Sequence, residues 1–248
     1  MKLSGNTILI TGGGSGIGRE LAHEFYRAGN TVIIAGRRQD VLRDVATAHP
    51  GMFVMPLDLA DAPAIADFAA RIAADHPRLN VLINNSGVMF LEDKIDLPVA
   101  EATITTNLLG PIRLTSALLP HLTAQPRSTI VNVSSSLAFV PYSLAPTYCA
   151  TKAALHSWSL SMREQLRATS VEVVELIPPA VQTELLPGQS NSPHAMPLDA
   201  FIAETMMRFR QEPTPEEVCG AWAESMRCVV NTDKFGQVFQ SLDRGHDI

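Results

Sequence analysis

Residues 128–155 read STIVNVSSSLAFVPYSLAPTYCATKAAL, a strand signal followed by a helix that carries two reactive side chains. The apolar, β-branched start predicts a buried strand, and the serines follow where that strand ends. Tyr148 and Lys152 then stand at i, i+4 spacing, which places them on one face of a helix. An ammonium group favours a nearby phenolate, so Lys152 should lower the pKa of Tyr148 towards neutral pH. With a hydroxyl from Ser135, this set is suited to moving a proton to or from a carbonyl or alcohol oxygen.

The Tyr-x-x-x-Lys spacing occurs by chance in many helices, so its meaning depends on the rest of the chain. The 248 residues are 46% hydrophobic, which suits one large domain with an ample core. A formal net charge of -6 argues against nucleic acid as a main partner. No apolar run approaches the roughly 20 residues of a membrane span. We therefore expect neither a nucleic-acid partner nor a membrane partner.

Three cysteines (Cys149, Cys219 and Cys228) lack the spacing of metal ligands, so no metal site is predicted. Together with a start that enters a strand directly, without the h-region of a signal peptide, they indicate a reducing cytoplasm.

Strand-like and helix-like segments alternate along the chain. Strands are predicted at 7–11, 31–35, 52–57, 80–83, 129–133 and 171–177, mostly as continuous apolar runs. Between them lie amphipathic segments, the fourth with its apolar positions at 104, 108, 112 and 119. This alternation predicts an α/β fold, a doubly wound parallel sheet of Rossmann type with helices on both faces. We expect a single domain over residues 1–248, with ligands beyond the C-terminal ends of the strands.

A glycine-rich turn, TGGGSGIG at residues 11–18, joins the first strand to the first helix. Gly12, Gly16 and Gly18 allow the backbone to approach a phosphate, and the helix start offers free N–H groups there. Ser15 and Ile17 belong to the same turn. Because a strand precedes it and a helix follows, a cofactor phosphate site is favoured over a plain turn.

Residues after the next strands indicate which dinucleotide is preferred. Arg37 and Arg38 stand where an acid would bind the ribose 2′-hydroxyl of NAD, and arginines suit a 2′-phosphate instead. We expect NADP(H) to be preferred and NAD(H) to be possible; the alternative is a solvated arginine pair. Asp58 could hold an adenine amino group or cap the next helix. The NNSG run that contains Asn85 could form a tight turn or a loop facing the cofactor.

Pro111 interrupts the following long helix. Proline has no N–H, so it cannot donate to the carbonyl of Asn107, and the helix should bend there. A bound water could take the vacant bond and join a proton chain. Pro111 could equally be a tolerated kink.

Taken together, the glycine-rich turn, the NNSG run, Asn107, Ser135 and the YCATK segment resemble the short-chain dehydrogenase/reductase family, in particular an oxidoreductase subgroup described as DltE-like. The match covers roughly residues 5–185. The resemblance implies an NAD(P)(H)-dependent enzyme with a catalytic tetrad of Asn107, Ser135, Tyr148 and Lys152. In that tetrad Tyr148 is the acid/base, Ser135 polarises the carbonyl, Lys152 holds the nicotinamide ribose and tunes Tyr148, and Asn107 anchors a relay water.

The resemblance also assigns the segment after the sixth strand. Val181 and Thr183 match residues that bind the nicotinamide carboxamide, although Pro178-Pro179 replaces the family's Pro-Gly and should stiffen the loop. A homodimer or homotetramer is implied by the family as well. The usual glycine-rich C-terminus is missing, and residues 235–239 could form a vestigial seventh strand.

The substrate is expected to be a small, partly apolar carbonyl or alcohol compound. Residues 186–212, polar turn residues followed by a helix from 197 to about 210, predict a substrate lid. The leading hypothesis is an NADP(H)-dependent oxidoreductase that transfers a hydride between nicotinamide and a carbonyl or alcohol carbon. The alternative is a regulatory protein that binds NADP(H) without turnover; such a protein would not need the phenol.

Overall fold

The computed structural model describes residues 1–244, with side chains up to residue 242. Seven parallel strands form one sheet in the order β3-β2-β1-β4-β5-β6-β7. Their bounds are β1 Thr7–Thr11, β2 Thr31–Gly36, β3 Phe53–Pro56, β4 Leu79–Asn84, β5 Ser128–Val133, β6 Val171–Ile177 and β7 Glu217–Cys219. The strand order reverses between β1 and β4, which is the switch point where ligands of such sheets bind.

Nine α-helices occur within the described part of the chain. They are α1 Gly16–Arg27, α2 Gln39–Thr47, α3 Ala62–Asp75, α4 Leu97–Ile104, α5 Gly110–Thr123, α6 Pro146–Leu166, α7 Leu198–Phe209, α8 Ala221–Val229 and α9 Phe235–Arg244. Short 3₁₀ turns occupy Ser136–Ala138 and Gln189–Asn191. None of the helices between residues 1 and 244 combines the length and apolarity needed to cross a membrane.

The sheet carries apolar side chains on both faces, and most of them are buried beneath the helices. On one face Ile8, Ile10 and Val32 pack in a cluster with Phe25 of α1 and Phe209 of α7. On the other face a second cluster joins Leu9 and Ile33 to helices α3 and α5. The α/β fold with helices on both faces is therefore confirmed.

The long helix that contains Asn107 changes geometry where Pro111 predicted a bend. Residues Thr105–Leu109 form a π-helical turn between α4 and α5. Of the apolar positions predicted in this segment, Leu119 packs against the core, but Ile104 is 39% exposed, and the fully buried leucines of α5 are Leu114, Leu118 and Leu122. The wider π turn rotates the residues beyond it, so a face extrapolated from before the turn is misplaced.

The seventh strand lies elsewhere than the sequence predicted. Residues 235–239 belong to α9, and the seventh strand is the three-residue β7, paired with β6. The rings of Phe235 and Phe239 stack with centroids 6.2 Å apart, as the i, i+4 spacing of a helix allows.

The helical part of the predicted lid exists as α7. Its side chains Phe201, Ile202, Met206 and Phe209 are buried in the core cluster that α1 shares. The lid over residues 186–212 stays a prediction; because α7 is packed this firmly, its closing part would be the segment before α7, from residue 186 to 197.

Candidate active site

A cleft of about 530 Å³ opens at the C-terminal edge of the sheet. It is lined by most of the predicted site residues: Gly12, Ser15, Gly16, Ile17, Arg37, Arg38, Asp58, Asn85, Ser135, Tyr148, Lys152, Val181 and Thr183. Gly18 and Asn107 stand behind this lining. Chain segments from β1 to β6 thus meet at one site, as the topology of a parallel sheet requires.

Two glycines let the β1–α1 turn fold against the loop after β4. Gly12 has a φ of +70°, and a Cβ there would lie 2.9 Å from Asn85 Nδ2. A Cβ on Gly18 would lie 2.4 Å from both Asn85 Nδ2 and the Gly12 oxygen. Gly18 is therefore a packing residue, and it brings the first turn of α1 close to the strand ends.

Thr11 fastens these two loops together, a role that the sequence did not reveal. Its hydroxyl donates to the Ile83 carbonyl at 3.3 Å and accepts from the N–H groups of Asn85 at 3.0 Å and Ser86 at 3.1 Å. Asn85 Nδ2 returns a hydrogen bond to the Thr11 carbonyl at 2.9 Å. The NNSG run is thus a loop facing the cleft, and the tight-turn alternative falls away.

The arginine pair lies at the far end of the cleft. Arg37 and Arg38 are exposed, and the Arg38 guanidinium donates to the Ser15 hydroxyl at 2.9 Å. Arg38 is thereby held over the glycine-rich turn, with its charge directed to the cleft. The cap of α3 is Asp61, which accepts from Ala64 N at 3.0 Å. Asp58 faces the cleft, and its carboxylate accepts from Ala60 N at 2.9 Å.

Ser135, Tyr148 and Lys152 meet at the inner end of the cleft. All three are buried, with 6%, 6% and 4% of their surface exposed. The Ser135 and Tyr148 side chains are hydrogen-bonded. Lys152 Nζ donates to the Val133 carbonyl at 2.8 Å and lies 5.5 Å from the centre of the Tyr148 ring. The strand end and the helix face thus converge as the sequence predicted.

The pKa of Tyr148 differs from the sequence expectation. Burial raises the pKa of Tyr148 above its usual value, the hydrogen bond with Ser135 opposes this, and Cys149 adds to the rise. Burial lowers the pKa of Lys152 to about 8, against the opposing charge of Glu175. The pKa of Tyr148 is thus shifted upwards, opposite to the predicted direction, because burial outweighs the hydrogen bond with Ser135.

Asn107 organises the loop that follows Asn85 and Ser86. Its Oδ1 accepts from Val88 N at 2.8 Å, and its Nδ2 donates to the Val88 carbonyl at 2.8 Å. A longer bond of 3.3 Å joins Nδ2 to Thr151 on α6. Asn107 therefore ties the cleft wall to the helix that carries Tyr148 and Lys152. Its role as anchor of a relay water stays a prediction.

The segment after β6 closes the remaining side of the cleft. Val181 pairs with Met196 in an isolated bridge, so the loop between them is held at its base. Within that loop the buried Gln189 donates through Nε2 to the Val181 carbonyl at 2.7 Å. Thr183 and Pro179 face the cleft beside it.

Two acidic residues near the site, Glu175 and Glu92, were not recognised from the sequence. Glu175 is wholly buried in β6, where it contacts Ser134 and His156. Glu92 accepts from Thr147 N at 3.2 Å and from the Thr147 hydroxyl at 3.0 Å, next to Tyr148. The only signal for Glu175 was an acid inside an apolar run, VEVVELI. Glu92 gave no signal because it lies 55 positions from its partner.

The donor groups of the cleft suit a phosphorylated dinucleotide. The glycine-rich turn lines the cleft at the start of α1, where free N–H groups suit a phosphate, and two arginines carry positive charge at the end where Asp58 stands. The buried hydroxyl, phenol and ammonium groups lie at the other end. This arrangement fits a ligand with phosphates and adenine at one end, beside the arginines, and a reacting ring at the other end, beside the phenol.

The chain is similar to several known proteins. The family model described as short chain dehydrogenase matches residues 6–193. The "Uncharacterized oxidoreductase DltE" of Bacillus subtilis is 44% identical over 192 residues, which cover 75% of each chain. The "NADP-dependent 3-hydroxy acid dehydrogenase" of Schizosaccharomyces pombe is 34% identical over 192 residues, 74% of each chain.

The fold is shared over the full length of a solved structure. A short-chain dehydrogenase from Streptomyces avermitilis superposes with a TM-score of 0.82 and 26% sequence identity, covering 100% of both chains.

Proposed function

Because the chain belongs to the short-chain dehydrogenase/reductase family of oxidoreductases, we propose that it transfers a hydride between NADP(H) and a small carbonyl or alcohol compound. The observation that carries the proposal is the convergence of Ser135, Tyr148 and Lys152 at the inner end of the cleft lined by Arg37 and Arg38. A protein that only senses the cofactor would not need the buried phenol, so the regulatory alternative has no observation in its favour.

The proposed mechanism assigns each side chain one task. When bound, the nicotinamide supplies or accepts the hydride. In the direction of reduction, the Ser135 hydroxyl donates a hydrogen bond to the substrate oxygen, and Tyr148 gives that oxygen its proton as the carbonyl double bond is lost. The Lys152 ammonium, within reach of the phenol ring, stabilises the tyrosinate that remains. Alcohol oxidation runs the same steps in reverse.

Burial leaves Tyr148 protonated at neutral pH but also makes the phenol a weaker acid. Proton transfer therefore needs groups that stabilise the tyrosinate. The positive charges of Lys152 and of the oxidised nicotinamide would favour the tyrosinate once the proton has moved.

Preference for NADP(H) over NAD(H) is supported by Arg37, Arg38 and the Arg38–Ser15 hydrogen bond, and by the NADP dependence in the name of the S. pombe relative. The test is a paired fluorescence titration of the purified protein with NADPH and NADH. We expect tighter binding of NADPH, and we expect Arg37→Asp with Arg38→Ala to weaken NADPH binding far more than NADH binding. Equal loss for both cofactors would contradict the assignment of the arginines.

Turnover is tested by a carbonyl screen that follows NADPH consumption. Tyr148→Phe should lower kcat by about 10²–10⁴-fold while NADPH still binds, since the phenol is assigned to proton transfer. Ser135→Ala should lower kcat through loss of the polarising hydroxyl. Tyr26→Phe is the matched control, because the Tyr26 hydroxyl bonds to Pro50 outside the cleft. Unchanged turnover in Tyr148→Phe would refute the acid/base role.

The substrate is proposed to be partly apolar. Met89 and Phe90 line the cleft beside Leu185, and Met89 also packs with Tyr142 and Tyr148. A screen should therefore rank aliphatic or aromatic aldehydes and ketones above charged ones. Stronger turnover with charged carbonyl compounds would contradict this preference.

A homodimer or homotetramer in the cytoplasm completes the proposal. Leu97, Ile104 and Leu109 are exposed along α4 and the π turn, and Leu160 is exposed on α6. A second copy of the chain would cover such surfaces. Light scattering should give two or four times the chain mass of 26.8 kDa, and cell fractionation should find the protein in the cytosolic fraction.

A further inference from the structure

Glu175 is a buried carboxylate directly behind the candidate active site. It has no exposed surface and lies among the apolar side chains of strand β6. A charge in such a place is costly unless it is paired and hydrogen-bonded. Its partners therefore indicate what it does.

The two carboxylate oxygens of Glu175 have different partners. One oxygen accepts a short hydrogen bond from the Ser134 hydroxyl. The other lies 2.8 Å from His156 Nδ1, on α6 one turn beyond Lys152. Glu175 thus bridges the strand end that bears Ser135 and the helix that bears Lys152.

The backbone around Glu175 is fixed as well. Ser134 N donates to the Leu176 carbonyl at 2.9 Å, and Ser136 N donates to the Pro178 carbonyl at 2.8 Å. Ser135 lies between these two anchored residues. The hydrogen bond between the Ser134 and Glu175 side chains further fixes this short segment.

The charges that face Glu175 come from three helical or strand elements. Lys152 and His156 lie on α6, Glu217 lies on β7, and Arg227 on α8 pairs with Glu217 at 2.7 Å. The charge of Glu175 raises the pKa of Lys152 against the effect of burial. The hydrogen bond to Glu175 also raises the pKa of His156, against the effect of its burial.

We propose that Glu175 is a positioning residue of the oxidoreductase site, which holds the strand end of Ser135 through Ser134 and ties it through His156 to the helix of Lys152. From this position the carboxylate also favours the charged form of Lys152. The inference rests on the proposed function, because it gives Lys152 and Ser135 the tasks described there. His156 holds the second carboxylate oxygen and so fixes the orientation of Glu175.

The alternative is that these residues bind a metal ion. His156, Glu175 and Glu217 bring ligand atoms within 4.8 Å of one another. The Arg227 guanidinium already pairs with Glu217, and His156 already hydrogen-bonds to Glu175. The carboxylates thus have cationic or hydrogen-bonding partners from the chain itself, which favours the positioning role over metal binding.

The test is NADPH affinity as a function of pH, which needs no substrate. In the wild-type protein, affinity should weaken with a midpoint near pH 8, as Lys152 loses its proton. Glu175→Gln keeps the size of the side chain and can still hydrogen-bond to Ser134 and His156, but it removes the charge. Without that charge the pKa of Lys152 falls, so the midpoint should move by roughly one pH unit to lower pH.

The matched control is Glu217→Gln, which removes a carboxylate from the same cluster without touching Ser134. Its midpoint should equal that of the wild-type protein. An unmoved midpoint in Glu175→Gln would overturn this inference alone. A wild-type protein that binds no NADPH would overturn the proposed function, and this inference with it.

A second variant tests whether Glu175 positions Ser135 through Ser134. It also tests the inference if Glu175→Gln does not fold. Ser134→Ala keeps the charge of Glu175 but removes its contact with the strand end. We expect kcat to fall about 10-fold, with the pH midpoint of NADPH binding unchanged, because positioning and not charge is lost. Wild-type kcat in Ser134→Ala would overturn the positioning role.

Discussion

At the scale of single residues, burial decides the protonation behaviour of the site. The i, i+4 spacing of Tyr148 and Lys152 could be predicted from the sequence, because a helix fixes which residues share a face. The direction of the pKa shift of Tyr148 could not be predicted, because the sequence does not show how deeply the phenol is buried. The same limit applies to Glu175, whose partners on β5 and α6 are brought together only by the sheet.

The lowered pKa of Lys152 predicts an alkaline limit to turnover. The ammonium is charged below about pH 8 and neutral above it, so support for the developing tyrosinate is lost as the pH rises. We expect kcat for carbonyl reduction to fall above about pH 8, while the phenol of Tyr148 stays protonated. The measurement is kcat at saturating NADPH between pH 6.5 and 10.

Burial of an ammonium is what sets this limit. If kcat stayed constant up to pH 9.5, Lys152 would still be charged at that pH. Burial would then not lower the pKa of Lys152, and the prediction would be wrong.

At the scale of elements, the helix that carries Tyr148 begins with help from a distant loop. Helix α6 starts at Pro146 without a side-chain cap of its own, and Glu92 accepts two hydrogen bonds from Thr147. A carboxylate also suits the positive end of a helix. The loop after β4 therefore holds the first turn of α6, where Tyr148 lies.

Replacing Glu92 should thus affect both stability and turnover. We expect Glu92→Ala to lower the free energy of unfolding by about 1 kcal/mol, as for the loss of a helix cap. We also expect kcat to fall several-fold, because the first turn of α6 loosens around Tyr148. Denaturant unfolding and kcat measure the two effects.

The control is Asp61→Ala, which removes the cap of α3, away from Tyr148. It should lower stability by a similar amount and leave kcat unchanged. Equal kcat in Glu92→Ala and the wild-type protein would show that Glu92 is only a stabilising cap.

At the scale of the whole molecule, the central sheet was predictable and the C-terminal part was not. Six strands are mostly runs of apolar or β-branched residues, so their signal is strong. β7 has only three residues and gives no such signal. In residues 235–239 the apolar side chains are Phe235, Val238 and Phe239, which is the spacing of a helix face and not the alternation of a strand. The predicted strand therefore had no support from the periodicity of this segment.

The C-terminal helix reaches back to the site from the other end of the chain. Leu242 of α9 packs against a buried cluster that comprises Met89, Tyr142, Ala145, Tyr148 and Cys149. Leu186, from the segment predicted to close over the substrate, packs against the same cluster. The apolar wall beside Tyr148 is therefore built from the segment before α6 and its first turn, together with one residue each from the loop after β4, the segment after β6 and the last helix.

This shared wall predicts that α9 affects the substrate and not the cofactor. A carboxylate at residue 242 would be placed against apolar side chains at a cost in free energy, and α9 should leave the wall. We expect Leu242→Asp to raise KM for an apolar substrate several-fold, with the Kd of NADPH unchanged because the arginines and the glycine-rich turn lie elsewhere. Gln240→Asp, on the exposed side of the same helix, should change neither constant. If Leu242→Asp kept the wild-type KM, α9 would be a neighbour of the site that takes no part in holding the substrate.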